Sequence, residues 1–236
     1  MNKKTILIIA AIAGGLLFIC CVCSIVIFVI LPATSQSSDK IPSTPTAIPS
    51  VSDSFNDNQS NWAIGEQTNQ YGIVSRSING GKYVWSIENL TDEDILSFAT
   101  PSSLNYRNFV ASVDGKKVSG DDTTNYNLLF RYINEKSFYT MKINSDFQMY
   151  NIGKLVNGVY TDIVKWKQDA NITYKGLNNI KVEGVEDHFK CYVNNKLIFE
   201  FDDSDLSVGG AGLSVQLYNI NTKGEWEFDN FNYRSL

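Results

Sequence analysis

Cysteine is nearly absent from the part of this chain that can fold. Of its 4 cysteines, Cys20, Cys21 and Cys23 sit inside one apolar run near the N-terminus, which leaves Cys191 alone beyond it. A disulfide framework within a domain is thereby excluded, and stability has to come from a core. Histidine is scarcer still: His188 is the sole one, so a histidine-based triad can use only this residue, and no His/Cys cluster has zinc spacing. It lies beside a strand whose opposite face is apolar and reads as solvent-facing. The glycine pairs at Gly80-Gly81 and Gly209-Gly210 mark turns, and no glycine-rich phosphate loop is present. Acids are missing before Asp39, so all 25 follow the apolar run. Setting Lys3 and Lys4 aside leaves 18 of the 20 basic residues and a net charge of −7 for the remainder. That balance argues against nucleic acid as a partner, because such binding is driven by Lys and Arg neutralising phosphates.

What is present begins with residues 5–31, a run without one charged residue. It exceeds the ~20 apolar residues a membrane-spanning helix needs. A secretory signal carries only ~7–15 in its apolar region and then a small-residue cleavage site, which PATS after Leu31 does not supply. The residues ahead of Cys20, LFI, also lack the small side chains expected before a lipid-modified cysteine. The expectation is an uncleaved signal-anchor, a single transmembrane helix over 5–31. Lys3 and Lys4 hold residues 1–4 in the cytoplasm and put the rest outside the cell membrane. Ala10, Ala11, Gly14 and Gly15 form small-xxx-small pairs that permit a homodimer through this helix. Residues 32–50 are a Pro/Ser/Thr-rich linker with no core-forming pattern, an extended stalk.

Residues 51–236 read as one all-β domain. In NYNLLFRYI, Tyr126, Leu128, Phe130 and Tyr132 alternate with Asn127, Leu129, Arg131 and Ile133. Phe189, Cys191 and Val193 alternate likewise, and Asn194-Asn195 between two such runs suits a tight hairpin because Asn tolerates left-handed backbone angles. Further strand-like runs recur with turn signals between them, and no segment here has helical periodicity. Many short antiparallel strands without disulfides imply a two-sheet jelly-roll sandwich.

The strings LLFRYINEKSFYTMKIN, KLVNGVYTDIVKW, NNIKVEGVEDHFKCYVNNKLIFEFDDSDLSVGGAGLSVQ and EWEFDNFNY, with the opening DSFNDNQSNW, carry a family likeness. They resemble the concanavalin A-like lectin/glucanase superfamily, and within it the bacterial domains described as 3-keto-disaccharide hydrolases, with laminin G-like relatives. The resemblance implies one convex and one concave sheet, with glycans on the concave sheet or its rim loops. EWEFDNFNY then looks like the closing strand, returning beside the start of the domain.

Glu225, Glu227 and Asp229 share one face of that strand and have spacing close to the carboxyl separations of glycosidases. Glu227 and Asp229 match the first two acids of the Glu-x-Asp-x-x-Glu glucanase motif that the resemblance brings in, but its third position is Asn232. No catalytic residue is assigned on this pattern. Asp121-Asp122 and Asp202, Asp203 and Asp205 supply oxygen ligands of the kind calcium takes. They read first as solvated turns, so no cofactor is assigned and calcium is the alternative. Sugar recognition needs flat apolar rings together with amides and charged groups. Trp62, Trp85 and Trp166 offer large rings, Tyr139, Tyr150 and Tyr160 smaller ones, and Asn151 and Gln216 amides. Arg131 interrupts an apolar strand, which marks either an internal paired charge or the wall of a site. The expected ligand-binding set is Arg131, Tyr139, Tyr150 and Trp166, in a non-catalytic module that binds a glycan or cell-surface polysaccharide. A glycoside hydrolase of the 3-keto-disaccharide type and a protein-interaction or envelope-structural module stand as alternatives.

Overall fold

The alternation in the sequence becomes two stacked sheets. The computed structural model describes residues 49–101 and 104–236, together with the backbone of Ile6–Ala10. Sheet A runs in the order β1 (Ile6–Ala10), β6 (Asp94–Ala99), β15 (Gly210–Leu217), β8 (Asn125–Asn134), β9 (Ser137–Asn144), β10 (Met149–Val156) and β11 (Val159–Gln168). Sheet B runs β14 (Lys196–Asp202), β13 (His188–Val193), β12 (Asn178–Val185), β7 (Phe109–Gly120), β16 (Lys223–Ser235), β5 (Lys82–Asn89), β4 (Gly72–Asn79) and β3 (Gly65–Thr68), with β2 (Ser50–Asp53) also paired to β16. Every pairing within residues 49–236 is antiparallel; β1 lies parallel to β6. Among the described residues no helix is long and apolar enough to cross a membrane. The expected membrane helix 5–31 and stalk 32–50 lie outside the described residues, apart from the backbone of Ile6–Ala10 and Pro49–Ser50.

The inner faces of the two sheets make one core. Tyr126, Leu128 and Phe130 of β8, Tyr139, Met141 and Ile143 of β9, and Leu213 and Val215 of β15 meet Phe109, Val113, Ile180, Val182, Phe189, Trp226 and Phe228 from sheet B. The aromatic rings pack at tilted and edge-on angles, as their quadrupoles favour; Phe130 and Tyr139 are stacked at 5.4 Å. The opening DSFNDNQSNW is tied down by its own polar residues: the Trp62 Nε1–H donates to Asp53 (2.9 Å), and the ring packs edge-on to Phe231 of the closing strand at 4.9 Å. Asn194 and Asn195 both hold left-handed angles (φ 49° and 64°), which closes the β13–β14 hairpin where the sequence places it.

Alternation breaks at one instructive position. Arg131 has φ 47°, and the β8–β9 register shifts between Phe130 and Asn134. This bulge turns Arg131 toward the core, its guanidinium over Phe109 and Phe189, and moves Tyr132 off the face of Phe130. Tyr132 joins a second apolar cluster of Leu96, Phe98, Leu129, Phe138 and Leu155 on the other side of sheet A. The strict alternation expected for NYNLLFRYI therefore ends at Phe130. Gly209 makes the close approach possible, because a Cβ there would meet the Arg131 Cα at 2.7 Å. Gly209→Ala is expected to cost roughly 1–3 kcal/mol through overpacking, read as a lower denaturation midpoint at unchanged m-value.

Candidate functional site

The closing strand does not make the site. Trp226 and Phe228 point into the core, so Glu225, Glu227 and Asp229 lie on the outer face of sheet B. Asp229 pairs with Lys82 at 2.5 Å.

The polar chemistry collects instead on the second face of sheet A, away from the core. β8 places Asn125, Asn127 and Leu129 there, β9 places Phe138, Thr140, Lys142 and Asn144, and β10 places Asn151, Gly153 and Leu155. β15 adds Ser214 and Gln216. Register aligns these into a row across adjacent strands: Ser214 opposite Asn127, Asn127 opposite Lys142, and Lys142 opposite Asn151. Both faces of β8, β9 and β15 are buried over most of their length, so this is a buried polar layer.

Its members hold one another. The Asn127 amide donates to Ser214 Oγ (2.8 Å) and that of Asn125 to the Tyr218 hydroxyl (2.7 Å). The Asn151 amide donates to Asp162 and to the Val164 carbonyl, both at 2.7 Å, and accepts from the Tyr160 hydroxyl at 2.8 Å. Tyr160 reaches this position because Gly153 has no side chain; a Cβ there would overlap the phenol ring. Lys142 lies at the centre, donating to Gln216 Oε1 (3.3 Å) with its ammonium 4.5 Å from the Tyr160 ring centroid. Burial lowers the Lys142 pKa from its ordinary value to about 8, against the opposing charges of Asp162 and Asp94. Burial likewise raises the Tyr160 and Tyr218 hydroxyls.

Three groups in this layer lack a hydrogen-bond partner among the described residues: Asn125 Oδ1, Asn127 Oδ1 and Thr140 Oγ1. A buried polar atom left open costs ~1–3 kcal/mol, so such atoms ask for a water or a ligand. At the Asn144 end the layer gives onto a cavity of about 330 Å³, lined by Thr123, Asn144, Phe147, Met149, Trp166 and Tyr218. This is within the ~300–1,000 Å³ range of small-molecule sites and combines aromatic rings with hydroxyl and amide groups.

The four residues expected from the sequence part company here. Trp166, on edge strand β11, lines the cavity and is 39 % exposed. Tyr139 and Tyr150 are core residues on the opposite face; their hydroxyls donate to Asp203 (2.6 Å) and to the Ile198 carbonyl (3.3 Å), and neither ring offers a face to a ligand. Arg131 is fully buried and spends its guanidinium on the carbonyls of Leu206, Arg107 and Glu186. Trp62 and Trp85 belong to the core as well. Asn151, Gln216 and Tyr160 do reach the polar face. Lys142, Asn125, Asn127 and Ser214 went unrecognised, although Thr140, Lys142 and Asn144 at every second position of SFYTMKIN carried a signal.

The acidic turns are occupied by their own chain. Asp121 accepts from the Thr123 backbone and hydroxyl (both 2.8 Å), which lowers its pKa, with help from Asn219. Asp203 and Asp205 both pair with Lys154, and Asp202 pairs with His188 at 2.8 Å. No group of three or more His, Cys, Asp or Glu suited to a metal ion occurs among the described residues.

No family model matches the chain. A levanase of Bacillus subtilis (strain 168) is 27% identical over 125 residues, which is 52% of this chain and 17% of the levanase. Among solved structures, the carbohydrate-binding module CBM66 of Bacillus subtilis superposes with a TM-score of 0.50 at 20% identity, covering 74% of this chain and 95% of the module. The β-glucanase of Bacillus licheniformis gives a TM-score of 0.59 at 14% identity, with coverages of 79% and 98%. A β-1,3-1,4-glucanase (lichenase) derived from a mouse hindgut metagenome gives 0.58 at 9% identity, with coverages of 79% and 99%. The two-sheet sandwich thus shares its fold with a carbohydrate-binding module and with glucanases.

Proposed function

We propose that this chain is a polysaccharide-binding module, held outside the cell membrane by the helix expected over residues 5–31, with the stalk setting its reach. The small-residue pairs of that helix supply a surface for a homodimer in the same reading. The observation that carries the binding function is the buried amide and lysine layer of sheet A, with its open acceptors, beside a cavity lined by Trp166. Sugar rings stack on indole faces, while hydroxyls satisfy amides and ammonium groups. Asp94 and Asp162 bear on the same face, and both act on Lys142 as opposing charges.

Levan heads the list of ligands to try, from the name of the levanase that the chain resembles in sequence, followed by lichenan and laminarin. Full-length protein should retain one of these in affinity electrophoresis and release no reducing sugar. Trp166→Ala should weaken retention about tenfold, at the upper end of what one aromatic contact supplies. Absence of retention across the three polymers removes the binding reading. Reducing ends accumulating during incubation would turn it into a hydrolase.

A further inference from the structure

Two buried cations end one row of side chains, and one of them lacks a counter-charge. Arg76 of β4 lies opposite Trp85 of β5, Trp85 opposite Trp226 of β16, and Trp226 opposite Lys117 of β7. The row crosses the core face of sheet B, where both tryptophans are fully buried and Arg76 and Lys117 are 3 % and 8 % exposed. At the β7 end the Lys117 ammonium pairs with the Asp146 carboxylate at 2.5 Å and donates to the Asp121 carbonyl at 2.7 Å. At the β4 end Arg76 donates from Nη2 to Ser97 Oγ of β6 (2.7 Å), and its guanidinium rests on the Trp85 ring, 4.5 Å from the centroid. No carboxylate pairs with Arg76 among the described residues. Arg131 is equally buried, but three carbonyl oxygens take its guanidinium. Arg76 Nε and the indole N–H groups of Trp85 and Trp226 have no hydrogen-bond partner among the described residues. Every open group in this row is a donor.

We infer that a small inorganic anion, of which chloride is the simplest, binds at the open Nε edge of the Arg76 guanidinium and serves as its counter-charge. A buried charge is expensive unless it is paired, and a guanidinium cannot relieve the expense by losing its proton. Lys142, buried to a similar degree, does relieve it, as its pKa of about 8 records. Burial acts on Arg76 in the same direction, lowering its pKa, with the hydroxyl of Tyr83 as the opposing influence. A water molecule would satisfy an N–H and leave the positive charge uncompensated, whereas an anion does both. Interior packing is dense, so the ion that fits among these side chains is a small one. The unpartnered indole N–H groups at the next two positions of the row make its surroundings rich in donors and free of competing acceptors. This site lies on the core face of sheet B, separate from the polar layer on the second face of sheet A, and its test depends on no sugar.

The test is a chloride titration of the full-length protein, with sodium gluconate holding ionic strength constant. Between about 10 mM and about 1 M chloride the wild-type Tm should rise by about 5 °C, as mass action requires of a ligand that binds only the folded state. Arg76→Met, which removes the charge and keeps an apolar stem of similar size, should show no such rise. Bromide quenches indole fluorescence on contact, so it should add a saturable component to the quenching of the wild type. In Arg76→Met only the linear component from exposed Trp166 should remain. Trp85→Phe keeps an aromatic ring beneath the guanidinium; it should retain the chloride-dependent rise and lose most of the saturable quenching. A wild-type Tm independent of chloride, or an equal rise in wild type and Arg76→Met, overturns the inference. Should Arg76→Met fail to fold, saturable quenching that survives undiminished in Trp85→Phe places the ion elsewhere and overturns it as well.

Discussion

Lys142→Met is expected to weaken glycan retention by at least about tenfold while leaving the protein close to wild type in stability at pH 7. The two effects separate because the lysine is a costly residue to bury. Its pKa falls from 10.5 to about 8, chiefly through burial. The unfolded chain therefore holds that proton more tightly than the folded one. Between about pH 8 and 10.5 the unfolded state binds more protons, so stability rises with pH across this window. The penalty, of order 3 kcal/mol, is fully present below the folded value and is relieved as the ammonium deprotonates. Methionine fills similar volume without charge, so it removes the penalty, already net of the attraction of Asp162 and Asp94, but leaves Gln216 Oε1 without its lysine donor, and the two changes offset. Tyrosines with raised pKa values act in the opposite sense at higher pH, so the informative quantity is the difference between wild type and Lys142→Met in urea melts from pH 7 to 10. That difference should shift in favour of the wild type as pH rises. A difference independent of pH would mean that Lys142 keeps an ordinary proton affinity and that its surroundings are wetter than the buried layer implies.

Arg131→Ala is expected to behave in the reverse way, with a large loss of stability and sugar binding preserved in whatever protein remains folded. The guanidinium donates to the carbonyls of Leu206, Arg107 and Glu186, the Arg107 bond being 2.8 Å, and its cation lies 5.0 Å from the Phe189 ring centroid. It ties three separate connections to one end of the sandwich. Truncation leaves those carbonyls without their donor and empties a large volume beside Phe109 and Phe189. A loss of about 3–5 kcal/mol follows, or roughly 10 °C in Tm for a domain of this size. Arg131→Lys should recover little, because a single ammonium cannot span acceptors that a planar guanidinium reaches in different directions. Calorimetric melting of the three proteins, with affinity measured below each midpoint, checks this. Lost binding in a fully folded Arg131→Ala protein would return Arg131 to the ligand site and count against its assignment to the core.

Residues with the right chemistry for a sugar were legible before their positions were. Arg131, Tyr139, Tyr150 and Trp166 all have side chains that sugar sites use, yet only Trp166 reaches the cavity. Tyr139 and Tyr150 sit on the core face because Phe130, Met141 and Ile152 share it, and their hydroxyls find partners there in Asp203 and the Ile198 carbonyl. Arg131 misled for a local reason: one left-handed residue in β8 inverts the face on which alternation places it. The polar layer was visible as Asn125 and Asn127 in one run and Thr140, Lys142 and Asn144 in the next. Nothing in those runs says whether that face meets solvent or is buried.

The sequence by itself determined the all-β class, the turn at Asn194-Asn195 and a core that does without disulfides. Each follows from local chemistry: period-two alternation, the tolerance of asparagine for left-handed angles, or the count of cysteines. Only the tertiary structure decided that Ser214, Asn127, Lys142 and Asn151 form one row, and that Trp166 stands at its edge beside Phe147. Asn127 and Ser214 are 87 residues apart, and what joins them is strand order and register. Those are settled when two sheets find the pairing that buries the most apolar surface, a competition among distant segments that no single run of residues records.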